Sequence, residues 1–309
     1  MKESIVYIGI DVAKAHLDVA WQKHSRRFAN SKSGRSALVK WIKAKAAPVQ
    51  IICEASGGYE QALLEALWQS ELKVSLVQAS RARQYARAAG ILAKTDKVDA
   101  RVLAAFGAAM QPEPSRPPSA QQKQLRELDT QRRHLSGLLV AEQNRLAQLC
   151  DRQLRAFTRS LIQRVEKQIA TIDARIAALI AQDQQLSVKA QKLTGIKGVG
   201  ERTAALLLAQ MPELGTLNRR EAAALAGLAP FNRDSGTLRG KRMIFGGRRP
   251  VRRGLYMAAL VAARHNPILS KFYWRLRTKD KPHKVALTAV MRKLLLALNQ
   301  ALSPNSSFA

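Results

Sequence analysis

Cysteine, histidine pairs, aromatic rings and acidic charge are all scarce in this 309-residue sequence, and each scarcity removes a class of function. Cys53 and Cys150 are the only cysteines. They offer neither a disulfide framework nor zinc-ligand spacing, which suits a reducing, cytoplasmic setting. The histidines, His16, His24, His134, His265 and His283, form no H-x-x-x-H pair, so a histidine-based metal site is not expected. Aromatic residues make up 5%, low for a protein that reads single strands chiefly by stacking. The N-terminus opens as a strand and shows no signal-peptide core. The apolar run near the C-terminus is interrupted by Arg292 and Lys293, so no membrane association is expected.

What the sequence does have is positive charge: 52 Lys and Arg against 22 Asp and Glu, a net +30. The excess is uneven. Residues 1–115 carry 17 basic and 10 acidic groups, 116–190 carry 13 and 7, and 191–309 carry 22 and 5. A chain tolerates such self-repulsion most readily when its partner is a polyanion, so nucleic acid is the expected ligand.

Hydrophobic periodicity divides the chain into three. Residues 1–115 alternate strand and helix patterns: strands over Ile5–Asp11, His16–Trp21, around Phe28, Val49–Cys53 and Lys73–Gln78, and helices over Ala37–Ala47, Tyr59–Ser70, Ser80–Ala89 and Asp96–Met110. The order βββαβαβα predicts an α/β domain of the ribonuclease-H-like kind. Residues 111–118, with Pro112, Pro114, Pro117 and Pro118, read as a linker because proline removes helical hydrogen bonds. Residues 116–190 carry heptads, with Leu128, Leu135 and Leu149 on one position and Leu125, Leu139 and Leu146 on the other. Ile162, Ile169 and Ile176, with Val165, Ile172, Leu179 and Leu186, continue them. Arg132, Glu142 and Asp183 interrupt the seam. Such heptads predict a coiled coil, within one chain or between subunits, the simpler alternative being an antiparallel helical hairpin. Residues 191–309 form an α-rich domain.

That last domain opens on LTGIKGVGERTA, residues 193–204. Glu201 and Arg202 stand where a P-loop requires Lys and Ser or Thr, so a triphosphate site is rejected. The stretch reads instead as a helix-hairpin-helix-like turn that offers backbone N–H groups, with Lys197 and Arg202, to a phosphate; a bare turn between helices is the plainer reading.

Four carboxylates fall where a metal could be held. Asp11 ends a buried-strand run and Glu54 ends the fourth strand, places where an unpaired charge is costly. Asp96 and Asp99, three apart, share one face of a helix. An oxygen-only set suits Mg2+, and metal-assisted displacement at a phosphodiester would be its chemistry. Taken singly, Asp96 and Asp99 could serve the helix N-terminus, Glu60 a first helical turn, and Asp18 a strand with one solvated face. Farther on, PFNRDSGTLRGKR, residues 230–242, sets Ser235 in a turn amid Arg233, Arg239, Lys241 and Arg242, with Arg248, Arg249, Arg252 and Arg253 following. Those cations are candidates for phosphate contacts that fix position rather than read sequence.

Residues 8–11 (IGID), 53–59 (CEASGGY) and 94–101 (KTDKVDAR) resemble the DEDD, RuvC-like domain of the IS110 insertion-sequence transposases, to which the Piv-type DNA invertases are related. Residues 195–204, 224–230 (ALAGLAP) and 234–236 (DSG), with the basic run behind them, look like that family's second transposase domain. The resemblance implies a bacterial, nucleoid-associated recombinase guided by a non-coding bridge RNA that pairs with target and donor DNA. It further implies Mg2+ on Asp11, Glu54, Asp96 and Asp99, with Ser235 as the nucleophile of a transient phosphoserine link. A composite site between subunits of a dimer or tetramer is implied as well. Two other readings compete: a metal-dependent nuclease or junction resolvase with a structural serine, and a non-catalytic nucleic-acid binder. The sequence assigns no role to Asp234.

Overall fold

The computed structural model describes residues 5–45, 47–93, 95–232, 235–236, 240 and 242–304, together with the backbone but not the side chains of Asp96 and Lys97. Among the described residues the chain forms two compact units, residues 1–118 and 119–309.

The first unit is built on a five-stranded sheet of β1 (Val6–Val12), β2 (His16–Trp21), β3 (His24–Ala29), β4 (Val49–Glu54) and β5 (Lys73–Val77). Its order is β3-β2-β1-β4-β5, with β1–β2–β3 an antiparallel meander and β4 and β5 parallel to β1. This is the ribonuclease-H-like arrangement that the element order predicts. Both faces are covered, because alternate residues of β1 and β4 are apolar in both directions. One core joins Ile8, Ile10, Ile51 and Cys53 to α1 (Lys32–Lys43) and α2 (Gln61–Gln69). The other joins Tyr7 and Ile52 to α3 (Ala79–Ala88) and α4 (Asp96–Met110).

The helix α4 spans the residues expected. Thr95 is its N-cap, its hydroxyl accepting from the Val98 N–H at 3.4 Å. In contrast, α1 begins at Lys32 rather than near Ala37: Ser31 caps it by accepting from the Gly34 N–H, several residues before the apolar periodicity starts. The proline-rich stretch forms no helix, as expected, but it is not a free tether. Ser115 donates its N–H to Val74 O at 2.8 Å, and Gln50 donates to Pro112 O at 2.6 Å, which fastens the stretch along β5.

The second unit is helical: α5 (Ala120–Gln148), α6 (Arg152–Gln182), α7 (Gln184–Thr194), α8 (Glu201–Gln210), α9 (Arg219–Leu225), α10 (Arg249–His265), α11 (Pro267–Arg277) and α12 (His283–Ala301). A short antiparallel ribbon, β6 (Pro230–Phe231) with β7 (Met243–Ile244), lies between α9 and α10. The helices α5 and α6 pack on each other as a hairpin, and Leu125, Leu128, Leu135, Val165, Ile172 and Ile176 share one core with α8, α10 and α12. Residues 119–190 therefore belong to the same compact unit as residues 191–304, where the sequence suggests two separate parts.

The heptad seam is filled within one chain, where Arg132 and Asp183 find hydrogen-bond partners while the buried Oε2 of Glu142 has only Arg145 at 4.0 Å. Arg132 reaches both carboxylate oxygens of Asp173 on α6. Asp129, buried on α5, accepts from Arg133 at 2.9 Å and from Gln210 of α8 at 2.6 Å. Asp183 accepts from the Leu186 N–H, ending α6 and capping α7.

Candidate active site

The acid-bearing edge of the sheet follows from registers. Strands β1 and β4 run parallel with Ile10 opposite Cys53, so Asp11 and Glu54, one position on, are neighbours at adjacent strand ends. Side chains alternate along a strand, so Asp11 shares the face of Gly9, and Glu54 the face of Ile52. That face lies under α4. A Cβ on Gly9 would meet Ala100 O at 2.0 Å, and a Cβ on Gly107 would meet Ile52 and Tyr7 at 2.6 and 2.7 Å. Thus α4 runs opposite to β1, with Gly107 over Tyr7 and Ala100 over Gly9. Its first turn, carrying Asp96 and Asp99, arrives at the ends of β1 and β4 where Asp11 and Glu54 lie.

Asp11, Glu54 and Asp99 are all half-buried, and the Asp96 side chain lies outside the described residues. Among the described residues no three Asp, Glu, His or Cys side chains converge closely enough to hold a metal ion. The backbone therefore brings the four positions to one edge, and the oxygen-only donor set fits a hard divalent cation.

The surroundings of this edge are more ordered than the sequence suggests. Asp18, on β2 directly opposite Asp11, is buried rather than on a solvated strand face. Arg27 of β3 donates to both of its carboxylate oxygens, at 3.0 and 2.8 Å. Two carboxylates opposite one another on a sheet repel, and the guanidinium on Asp18 relieves that. Glu60 is likewise no ordinary residue of a helix's first turn. Buried at the N-cap of α2, its carboxylate accepts from the Ser56 N–H at 3.1 Å, the Ser56 hydroxyl at 3.0 Å and the Gly58 N–H at 2.8 Å. Burial pushes its pKa up, but these hydrogen bonds and one from its own backbone outweigh that and hold it below the usual carboxylate range. Glu60 thereby shapes the loop that follows Glu54. Cys53, sealed beneath, is pushed up to about 12 by burial and by the charges of Glu60 and Glu54, which leaves an inert thiol.

Ser235 is exposed, in a single bridge pairing between β6 and β7, and Gly236 after it takes φ +56°. Gly236 lies in a turn and Ser235 is open to solvent. Arg233, Asp234, Arg239 and Lys241 lie outside the described residues.

The remaining basic candidates divide into two groups. Arg248 has an internal role: it donates to both Glu213 oxygens at 2.7 Å and to Gln210 O at 2.7 Å. Burial raises the Glu213 pKa, but the Arg248 hydrogen bonds and charge outweigh it and hold it below its ordinary value. Arg252 donates to Gly246 O at 2.7 Å and to Gly227 O at 3.3 Å, clamping the segment that leads out of β7. Arg248 and Arg252 thus carry internal hydrogen bonds that charge counting alone does not reveal. Lys197, Arg202, Arg242, Arg249 and Arg253 are exposed. Arg202, Arg249, Arg252 and Arg253 line one groove of about 1860 Å³ between α5, α6, α7, α8 and α10, along with Glu201 and the Arg132–Asp173 and Arg133–Asp129 pairs. Lys197 sits in the turn from α7 to α8, whose N-cap, Gly200, carries no side chain over the first N–H groups.

Comparison with known proteins places these features in a family. Residues 8–154 match the DEDD transposase model of IS110, and residues 190–274 match the transposase model of the IS116/IS110/IS902 family. The pilin gene-inverting proteins of Moraxella lacunata and Moraxella bovis are each 32% identical over 99% of this chain and 98% of their own length. An insertion element IS110 protein of 43.6 kDa from Streptomyces coelicolor is 34% identical over 43% of this chain and 33% of its own. Among solved structures, a Thermus thermophilus RuvC chain bound to a Holliday junction aligns with 36% of this chain at 16% identity and a TM-score of 0.28.

Proposed function

The chain belongs to the IS110 family of transposases and DNA invertases, and from that premise we propose that it is a bridge-RNA-guided recombinase that cuts and rejoins DNA through Ser235. The observation that carries the catalytic part of this reading is the meeting of Asp11, Glu54 and the first turn of α4 at one edge of the sheet. Asp11, Glu54, Asp96 and Asp99 are the residues that would hold Mg2+. When bound, the ion supplies charge stabilisation at the scissile phosphate and its leaving oxygen.

The chain's own residues do the rest. Ser235, presented on a turn, attacks the scissile phosphorus. One phosphorus–oxygen bond to a sugar breaks as the bond to the serine forms. The exchanged strand's free hydroxyl then attacks the phosphoserine, restoring a phosphodiester and releasing the serine. Bond energy is conserved through both steps, which agrees with Glu201 and Arg202 standing where a nucleotide-binding loop would need other residues. Arg202, Arg249 and Arg253 in their groove, with Lys197 and Arg242, hold nucleic-acid backbone. The guide RNA follows from family membership. With RNA pairing to supply the sequence code, the protein needs charge and shape more than base-edge contacts.

The site is composite, the serine of one subunit serving the carboxylates of another within a dimer or tetramer. Support for self-association comes from Leu154, Phe157 and Leu161, exposed on one face near the start of α6, where the hairpin's internal seam does not use them.

The test incubates full-length protein, guide RNA and matched DNA with Mg2+, then denatures the mixture. A protein–DNA adduct that resists denaturant, absent in Ser235→Ala together with all cutting, is the expected result. Cutting retained in Ser235→Ala would mean a metal nuclease with a structural serine. An Asp11→Asn protein that behaves like the unaltered one would mean a non-catalytic binder.

A further inference from the structure

The β6–β7 ribbon is short, and its two faces are unequal. Phe231 pairs with Met243 and Pro230 with Ile244, so each pair shares a face. On one face the half-buried Ile244 packs against the helical core, while Pro230 opposite it stays exposed. The opposite face turns outward: Phe231 is 49% exposed and Met243 57%, and Phe245, two positions on, is 71% exposed. Of the chain's seven phenylalanines, two therefore stand in water on the ribbon that carries Ser235. Internal packing does not explain this, since the core beneath already has Ile244.

Charge selects the occupant. Residues 230–253 hold eight Lys and Arg and one acid, Asp234. Every third of the chain is net positive, so a second copy brings no matching charge, whereas a polyanion does. Arg242 and Arg249, both exposed, flank β7 and Phe245 in the chain, and aromatic rings with cations this close in sequence are the composition that holds unpaired bases: bases stack on the rings while guanidinium groups hold the phosphates. We propose that the outward face of the ribbon, Phe231, Met243 and Phe245, is a stacking platform for unpaired nucleobases next to Ser235. It receives the bases that unpair when strands are opened for exchange. The proposal rests on the DNA-handling reading of this unit and is independent of the serine chemistry. The low aromatic content is no obstacle, because one platform needs only two rings.

The test is a binding measurement on the full chain. The probes are a single-stranded oligonucleotide carrying 2-aminopurine and the same sequence as a duplex. Replacing both rings (Phe231→Ala with Phe245→Ala) is expected to weaken single-strand binding about tenfold or more and to abolish the fluorescence quench. Duplex affinity and the salt slope should hold, because the phosphate contacts remain. Phe245→Trp should retain the quench. Unchanged single-strand affinity, or an equal loss on the duplex, overturns the proposal. So does a drop in self-association of the doubly substituted protein without nucleic acid, which would assign the face to a second copy. Unaltered protein that quenches 2-aminopurine yet forms no covalent adduct retires the serine chemistry and leaves the platform standing. As a check independent of any variant, a 5-iodouracil strand irradiated on unaltered protein should crosslink at Phe231 or Phe245, and crosslinks confined to other segments would refute the platform.

Discussion

At the scale of single residues, Glu60 shows how a buried charge can order the loop that follows a strand. Its carboxylate ties the N–H groups of Ser56 and Gly58 and sits below the usual carboxylate range despite its burial. A carboxylate with a lowered folded pKa stabilises the fold above its unfolded pKa, and that stability is lost as pH falls through the folded value. Glu60→Gln is therefore expected to lower stability at pH 7 by about 1.5–3 kcal/mol, with the gap closing in urea melts taken down through pH 4 and below. Asp11 belongs to a different class. As a half-buried acid whose neighbours are other acid positions, it should tolerate Asn in the fold and lose strand cleavage; a folded Asp11→Asn protein that cuts normally would refute the site. Glu60 and Asp11 differ little in the sequence, where each is one acid beside apolar residues. The hydrogen bonds that the folded loop gives Glu60 are not written in that pattern.

At the scale of elements, the packing of α4 on β1 decides whether the carboxylates meet. Gly9 and Gly107 let helix and strand approach, and a Cβ at Gly9 would collide with the α4 backbone at 2.0 Å. Gly9→Ala is expected to destabilise the first unit by about 1–3 kcal/mol, read as a lower Tm, and to reduce DNA cleavage beyond what the unfolded fraction explains, because α4 must move off the edge. Among the basic residues at the start of α10, Arg248→Ala should lower the Tm of the second unit by removing the Glu213 pair. Arg253→Ala should leave the Tm alone, weaken DNA binding and reduce the salt slope by about one. Melting curves beside salt-titrated affinities separate the two. The residues at 248, 249, 252 and 253 are all arginines on adjoining positions, so charge counting cannot rank them. The helix α4 was readable to the residue because Thr95 and Asp96 mark its start. The start of α1 was not, because Ser31 caps a first turn that carries no apolar residue to advertise it.

For the whole molecule, the heptads of α5 and α6 are a caution. They read equally well as a joint between subunits or as a hairpin, since apolar spacing specifies that a seam is buried but not against what. The fold buries it within the chain, in one core with α8, α10 and α12. The proposed self-association is then assigned to the exposed Leu154, Phe157 and Leu161, and replacing all three by Ser is expected to lower the sedimenting mass without changing the helical CD signal. Composition, charge and element order follow from local residue properties, and so the sequence alone determined a ribonuclease-H-like sheet, a helical second half, a polyanionic partner and the carboxylates and serine to watch. Tertiary structure decided which acids share an edge, that Asp18 and Glu60 are held by internal partners, that Arg248 and Arg252 brace the fold, and that two phenylalanines face water beside Ser235. Each of those depends on register and on contacts between residues far apart in the chain, and no local pattern encodes them.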